Sequence, residues 1–423
     1  MIGVVLDQVF RRESGKVLAG LIRALGDFEL AEEALQESFA RAAEVWPREG
    51  LPDKPAAWLT TVARRCGLDL LRRRRTSPLV SASEGPPDQA TPAEEPDASA
   101  EEALRSGVVD DRLRLLFTCC HPSLAPAAQA SLALRTLGGL STREIARAFV
   151  EPESTCAQRL VRAKRKILEA RIPYRVPDRA ALPERFTVVL SVVYLIFNEG
   201  YSATEHDSLV RVDLCAEAIR IARLLVELLP EEPEGRGLLA LLLLQHARRD
   251  ARVGPAGELV PLEEQDRARW DHALIAEGTS LVQAALAEQK LGPYQVQAAI
   301  AALHDGAAGP AQTDWPQINE LYRVLLRFLP TPIVELNAAV ALAMARGPEQ
   351  GLAWIDTLAA REELAAYHLL HAARADLLRR AGRFAEALAA YERALGLVRN
   401  PAERAFLERR LREVRELSAS ARP

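Results

Sequence analysis

The sequence has few aromatic residues, few cysteines and no long apolar run. Aromatic side chains make up 5% of the 423 residues, and the longest apolar run, at 238–244, is far short of the ~20 residues that a membrane helix requires. The start of the chain has no signal-peptide pattern. The five cysteines follow no disulfide spacing, which is typical of a reducing compartment; they are Cys66, Cys119, Cys120, Cys156 and Cys215. We therefore expect a cytoplasmic protein without membrane contact.

Sequence motifs that mark common enzyme sites are also missing. The chain contains no Walker A, G-x-S-x-G or H-E-x-x-H motif. Cys119, Cys120 and His121 are consecutive, whereas structural zinc takes four ligands at spacings such as C-x2-C. We therefore expect buried thiols beside a histidine at a helix end, with no metal, no cofactor and no catalytic residue.

Strong helix formers are abundant, and the charges are unevenly distributed. Alanine, leucine, arginine and glutamate dominate the composition, which favours an all-α protein. Residues 76–110 carry one basic against eight acidic side chains, whereas residues 111–171 carry eleven basic against five acidic ones. The acidic segment is rich in Pro, Ser and Ala and lacks apolar periodicity, so we expect a flexible linker over 77–107. The linker separates a domain over 1–76 from one over 108–172, and residues 173–423 follow.

The basic segment after the linker contains the most specific pattern. Ser141 and Glu144 form the S-x-x-E of a capping box, so a helix begins there. A short interruption with a proline follows, and a second, basic helix begins at Thr155. The expected buried stripe of this helix is Cys156, Leu160, Ala163, Ile167 and Leu168. Two short helices around a tight turn predict a helix-turn-helix whose second helix enters the major groove.

The first domain contains an acidic helix, a loop and a basic helix. Residues 26–39 form an amphipathic pattern whose polar face is acidic, as expected for a protein-binding surface. The segment 46–55 contains three prolines and a glycine and predicts a stiff loop. The helix from Ala57 ends in four consecutive arginines, at 72–75, which suit phosphate contacts.

The rest of the chain is a series of apolar helices separated by Pro and Gly. Residues 368–401 fit a tetratricopeptide repeat, with Ala375 on the first helix, Gly382 at the turn and Ala387, Tyr391 and Ala394 on the second helix. Earlier helix pairs fit loosely. We expect a degenerate helical-repeat array, which is typical of a peptide- or protein-binding surface, with a purely structural role as the alternative.

In their order, the three motifs of residues 1–171 resemble those of a bacterial extracytoplasmic-function sigma-70 factor. DFELAEEALQESF resembles region 2.2, AWLTTVARRCGLDLLRRRR resembles regions 2.3–2.4, and GLSTREIARAFVEPESTCAQRLVRAKRKI resembles region 4.2. The resemblance implies two small helical domains, binding to the clamp helix and flap of core RNA polymerase, and binding to the −10 and −35 elements of promoter DNA.

The resemblance also implies roles for individual residues. Core-polymerase contacts fall on Asp27, Glu33, Gln36 and Glu37. Contacts with the −10 element fall on Trp46, Pro47, Arg64, Arg65, Arg72 and Arg73, with the loop 46–55 as the pocket for an extruded base. Contacts with the −35 element fall on Arg143, Thr155, Gln158, Arg159, Arg162, Arg165 and Lys166. Arg65 stands where this family commonly has Asn, and Cys156-Ala157 where Val-Lys is frequent, so the promoter sequence does not follow from the resemblance.

The C-terminal part resembles the tetratricopeptide-like extension that one sigma-factor subfamily carries in cis. FTCCHPSL and YLIFNEGYSA look like hallmarks of that subfamily, in which the extension affects sigma activity. We expect Asn198, Glu199, Gly200 and Tyr201 to end a buried helix and to form a joint between the sigma part and the array, with Gly200 in the left-handed conformation. The alternative is an enzyme that uses the helix-turn-helix for targeting, with Glu199 and residues 205–207 as acid/base or metal groups.

Overall fold

The computed structural model describes residues 2–76, 111–149, 151–178, 180–201, 212–255, 258–361 and 364–420. Within these ranges the secondary structure is helical apart from one isolated β-bridge between Val253 and Leu259, which confirms the all-α class. The predicted linker 77–107 lies outside the described residues. The chain divides into two compact units, Met1–Val193 and Tyr194–Pro423.

The first unit begins with three helices that pack around one apolar core. They are α1 (Ile2–Leu25), α2 (Phe28–Glu49) and α3 (Pro55–Thr76). Gly26 has φ 68°, which reverses the chain after α1, and the Asp27 carboxylate then caps α2 by accepting hydrogen bonds from the backbone N–H of Glu29 and Leu30. Phe28, Leu35 and Leu59 are buried in this core.

Four shorter helices follow in the same unit: α4 (111–119), α5 (Pro126–Thr136), α6 (Thr142–Ala148) and α7 (Glu153–Glu169). Cys119 and Cys120 are fully buried among them, and burial raises the pKa of the Cys119 thiol to about 12. The Cys119 Sγ lies 3.3 Å from Thr136 Oγ1. Both thiols are therefore protonated packing groups near neutral pH, as expected from their apolar surroundings. Helix α8 (Leu182–Tyr201) comes next.

The second unit is an array of helices. They are α9 (Val212–Leu228), α10 (Pro233–Ala247), α11 (His272–Ala287), α12 (Pro293–Gly306), α13 (Trp315–Phe328), α14 (Pro332–Arg346), α15 (Pro348–Ala359), α16 (His368–Arg380), α17 (Phe384–Leu397) and α18 (Pro401–Ser420). Helices α10 and α11 are joined by a longer segment, 248–271, that contains three short 3-10 helices. The apolar run 238–244 lies in α10 and is buried on every side, because α9, α11 and α12 all pack against this helix. In the described part of the chain, no helix is long and apolar enough to span a membrane.

Helices α16 and α17 form the helix pair that the sequence predicts for 368–401. Ala375 and Ala387 are fully buried where the two helices meet, and Tyr391 is 2% exposed. Gly382 has φ 74° in the turn, a conformation that only glycine adopts without strain. Small residues at the contact and a glycine at the turn therefore have the roles expected from the repeat pattern.

His246, near the end of α10, makes the stability of the second unit depend on pH. Its side chain is buried, its Nδ1 has no hydrogen-bond partner, and burial together with Arg249 lowers its pKa to about 4. Between about pH 6.5 and 4 the unfolded chain therefore binds a proton that the folded unit does not bind, so stability is lost as the pH falls. We expect His246→Leu to reduce the loss of stability between pH 7.5 and pH 5 by about 1–2 kcal/mol, measured by urea unfolding at both pH values. An unchanged pH dependence would contradict this assignment.

Candidate nucleic-acid and protein interfaces

The outer face of α2 presents a group of acidic side chains. Glu33, Gln36 and Glu37 are exposed, whereas Leu30, Ala34 and Leu35 face the core, as expected from the helical period. The Glu37 carboxylate lies 3.2 Å from Arg41 Nε, and both side chains are half exposed, so this ion pair adds little to stability. The carboxylate of Asp27, in contrast, is engaged as the N-cap of α2. Three of the four predicted polymerase contacts are thus available on one surface.

The predicted loop 46–55 is shorter than expected, because α2 continues to Glu49. Pro47 lies inside the helix, and Gly50, with φ 89°, ends it by donating a hydrogen bond to the Trp46 carbonyl. The Trp46 ring is 2% exposed and packs edge-to-face on Trp58, with the ring centroids 5.5 Å apart. The Trp46 ring is therefore part of the core between α2 and α3, and as a buried ring it is not placed to stack on a base.

Helix α3 carries exposed arginines along its length. Arg64 and Arg65 are exposed near its middle, and Arg72 and Arg73 are exposed close to its C-terminal end. Arg72 Nη1 lies 3.6 Å from an Asp69 carboxylate oxygen, a loose and solvent-exposed pair. The opposite side of α3 is apolar, with Leu59, Ala63 and Cys66 buried. The arginines therefore form an extended basic surface that suits phosphate contacts.

The helix-turn-helix forms as the sequence predicts. Ser141 Oγ accepts a hydrogen bond from the Glu144 N–H, and a Glu144 carboxylate oxygen accepts one from the Ser141 N–H at 2.7 Å, which completes the capping box of α6. Helix α7 begins at Glu153, two residues before the predicted start. Its buried residues are Cys156, Leu160, Ala163 and Ile167. Leu168 was wrongly predicted to be buried; it is 51% exposed, because it lies about 100° around the helix from Ile167.

The exposed face of α7 contains most of the predicted −35 contacts. Thr155, Gln158, Arg162, Arg165 and Lys166 are all exposed on it, and Arg143 is exposed on α6. Arg159 is different, because its guanidinium forms an ion pair with Glu151 and donates a hydrogen bond to Ser131 Oγ at 3.2 Å. In this structure Arg159 therefore links α7 to α5 and to the turn that contains Glu151.

No sequence pattern predicts the contacts between α1–α3 and α4–α7. Lys164 on α7 forms an ion pair with Glu32 on α2, and both side chains are largely buried. Arg23 lies 3.1 Å from the buried Asp111 carboxylate, and the Tyr174 hydroxyl lies within hydrogen-bonding distance of the carbonyls of Ala19 and Asp111, at 3.0 and 3.1 Å. These groups join the two motif-bearing parts of the chain within one compact unit.

The predicted left-handed conformation of Gly200 is wrong. Helix α8 continues through Asn198, Glu199 and Gly200 to Tyr201, so Gly200 is helical and not left-handed. Glycine is needed there for space, because a Cβ would lie 2.8 Å from Leu214 Cβ and 2.9 Å from the Cys215 backbone nitrogen on α9. The joint role of these residues remains a prediction.

Aromatic and charged side chains pack around the C-terminal end of α8. Tyr201 stacks on Phe197, and the Arg252 guanidinium lies 3.5 Å from the Tyr201 ring centroid, a close cation–π contact. Glu199 is half-buried, and burial raises its pKa; the expected arginine or backbone N–H partner is not found among the described residues. Residues 205–207, the other groups of the enzyme alternative, lie outside the described residues.

Comparison with known proteins decides how these surfaces are to be understood. Residues 9–76 match the family described as Sigma-70 region 2, and residues 114–167 match Sigma-70, region 4. The chain belongs to the sigma-70 family. It is an RNA polymerase sigma factor of the extracytoplasmic-function group with an additional C-terminal helical domain, of which residues 185–286 match a family of unknown function, DUF6596.

Two curated relatives of this sigma factor cover different parts of it. An uncharacterized protein of Rhizobium meliloti is 44% identical over 94% of this chain and 92% of its own length. The probable ECF RNA polymerase sigma factor SigI of Mycobacterium tuberculosis is 31% identical over 36% of this chain and 50% of its own length. The similarity to SigI therefore concerns part of each protein, whereas the similarity to the Rhizobium protein includes the C-terminal domain.

Proposed function

We propose that this sigma factor binds core RNA polymerase through the acidic face of α2 and directs initiation at promoters whose −10 and −35 elements it reads through α3 and α7. The observation that carries the proposal is the exposed row of Gln158, Arg162 and Arg165 on the second helix of a capped helix-turn-helix. Gln and Arg make bidentate contacts with base edges in the major groove, so such a row is suited to reading sequence. The exposed arginines of α3 suit phosphate contacts, which position the protein.

We also propose that the C-terminal helical domain modulates this activity. The domain has a core of its own, in which α10 is buried and α14 to α18 share a second apolar cluster. Helical arrays of this kind usually present binding surfaces, so a ligand or partner of the domain is a natural source of regulation. Run-off transcription by the purified full-length protein with core polymerase, on a promoter selected from random DNA, tests the initiation part of the proposal directly.

Arg162→Ala separates sequence reading from general DNA affinity. We expect it to weaken binding to the selected promoter by ~1–3 kcal/mol while leaving affinity for random DNA nearly unchanged, because a base contact carries the specificity. Arg73→Ala is the matched control: it removes an exposed arginine of α3 and should weaken binding to both DNAs by the same factor. Both variants are measured by quantitative footprinting with holoenzyme at one salt concentration. Equal loss on promoter and random DNA for Arg162→Ala would exclude a base contact by this side chain.

A further inference from the structure

The C-terminal unit contains a cavity of about 520 Å³ between α8, α10, α12, α13 and α14. This volume lies within the range of ~300–1,000 Å³ that is usual for ligand sites. Its wall combines three tyrosine rings and several leucine and isoleucine side chains with four carboxamides, from Asn198, Gln245, Gln297 and Asn337. A packing defect in an apolar core would lack this many polar groups, so the cavity has the composition of a binding site.

Arg248 contributes the charged group of this cavity wall. Its side chain is 9% exposed, and its Nη1 lies 3.3 Å from an oxygen of the buried Asp305 carboxylate. Neither oxygen of Asp305 accepts a hydrogen bond from the described residues, and the Arg248 side chain also hydrogen-bonds Tyr201. A guanidinium has five N–H donors, so these contacts use only part of them. None of the described residues that line the cavity is Asp or Glu.

The charges behind the wall favour an anion in the cavity. Asp305 is the carboxylate that faces Arg248, and both Arg248 and Arg267 act on it electrostatically, while Arg252 lies near Arg248. Two guanidinium groups, those of Arg248 and Arg267, thus act on one buried carboxylate. His304, which also lines the cavity, has a pKa lowered to about 4 by burial and by the two neighbouring arginines, so it is neutral near pH 7. The local excess is positive, and an incoming carboxylate would offset it.

The four carboxamides indicate what else the ligand contains. A carboxamide offers both an acceptor and a donor, which is the same combination as a peptide unit presents. Asn337 is exposed and Asn198 and Gln297 are half-buried, so these groups are not shut inside the core. A cavity wall of carboxamides and tyrosine rings is therefore suited to a ligand in which amide groups alternate with apolar side chains.

We propose that this cavity binds a short peptide that presents a carboxylate to Arg248. The ligand's amide groups pair with the carboxamides, and its apolar side chains pack on the tyrosine rings. The carboxylate is either the C-terminus of the peptide or an acidic side chain, since both offer the same two oxygens. The proposal gives a ligand class to the modulation proposed for the C-terminal domain and rests on it for its regulatory consequence, whereas the binding itself requires no polymerase.

Equilibrium dialysis of the full-length protein against three pools of acetylated tetrapeptides tests the proposal. The first pool has free C-termini and lacks Asp and Glu, the second is amidated and contains Asp or Glu, and the third is amidated and lacks both. We expect mass spectrometry to show peptides retained from the first or the second pool, bound at least ~10-fold more tightly than their counterparts in the third, because hydrogen bonds to charged groups are the stronger ones. The pool that is retained identifies the source of the carboxylate.

Variants of the full-length protein locate the binding. Asn337→Ala changes an exposed side chain and should weaken the retained peptides about 5-fold, consistent with one lost hydrogen bond, while Gln283→Ala, on α11 and away from the cavity, should leave affinity unchanged. Arg248→Gln should abolish the preference for carboxylates; if it does not fold, the comparison of pools with the wild-type protein still decides. Retention of no peptide, equal retention from all three pools, or equally strong competition by benzoate would overturn the proposal.

Measuring transcription with the retained peptide separates this inference from the proposed modulation. A peptide that binds and changes the yield of run-off transcript supports both. If the peptide binds but the transcript yield does not change, the peptide site is supported and the proposed modulation is contradicted. Because dialysis contains no polymerase, failure of the peptide to bind says nothing against the sigma activity itself.

Discussion

Reversing the charges of Glu33 and Glu37 to lysine is expected to abolish co-purification with core RNA polymerase. Both side chains are exposed on α2, so their replacement removes no buried contact and should leave the fold intact. If this face docks on a basic surface of the polymerase, two lysines place like charges against it, and we expect a loss of at least ~1,000-fold in affinity, about 4 kcal/mol. Affinity is measured by titrating labelled sigma factor with core enzyme, and folding by circular dichroism.

The matched control carries the same change in net charge on another part of the chain. Glu227 and Glu231 are exposed in the second unit, at the end of α9 and just after it. Their double replacement by lysine should leave polymerase affinity within ~2-fold of wild type, apart from the general effect of net charge. If the α2 variant and this control lose affinity equally, the effect is one of overall charge and α2 is not the docking face.

The second large effect is expected for Gly200→Ala, which should destabilise the packing of α8 against α9. A Cβ at this position would lie 2.9 Å from both the backbone nitrogen and the Sγ of Cys215, and a backbone atom cannot move aside without shifting the helix. We expect a loss of ~1–3 kcal/mol, the usual range for overpacking, despite the better helix propensity of alanine. Hydrogen exchange of residues 212–228 and thermal unfolding of the full-length protein measure the effect.

Gly396→Ala on α17 isolates the effect of space from that of helix propensity. Apart from its chain neighbours and the backbone of its own helix, no atom lies within 4 Å of a Cβ built on this helical glycine. Alanine there should stabilise the protein by ~0.5–1 kcal/mol, because only the propensity changes. If both substitutions stabilise the protein, the tight contact between α8 and α9 is wrong.

Features that depend on a few neighbouring residues could be predicted from the sequence. The capping box of Ser141 and Glu144 requires only that a hydroxyl and a carboxylate stand three residues apart at a helix start. The exposure of Arg162 on α7 follows from the helical period once Leu160 and Ala163 are taken as buried. The same reasoning placed Gly382 in a turn and Ala375 and Ala387 at a helix contact.

Other predictions failed because the same residues were compatible with two different local conformations. Pro47 and Gly50 read as a loop, yet the burial of Trp46 against Trp58 holds the last turn of α2 in helical form up to Glu49. Ile167 and Leu168 both fit the edge of an apolar stripe, and the neighbouring helices decide that Leu168 is outside. Gly200 was expected in the left-handed conformation of a helix end, but it is helical, and its lack of a Cβ allows the close approach of α9.

By itself, the sequence determined the helical class, the order of the sigma motifs and the residues exposed on α7, since helix periodicity and capping act within a few positions of one another. Only the tertiary structure decided which distant groups meet. Lys164 and Glu32 are 132 positions apart, and Arg248 follows α10 whereas Asp305 lies in α12, with the whole of α11 between them, so no local pattern marks either pair. The cavity beside Arg248 likewise exists only because five helices come together around it. Such contacts depend on how the apolar faces of helices pack, and many pairings of those faces satisfy the same periodicity.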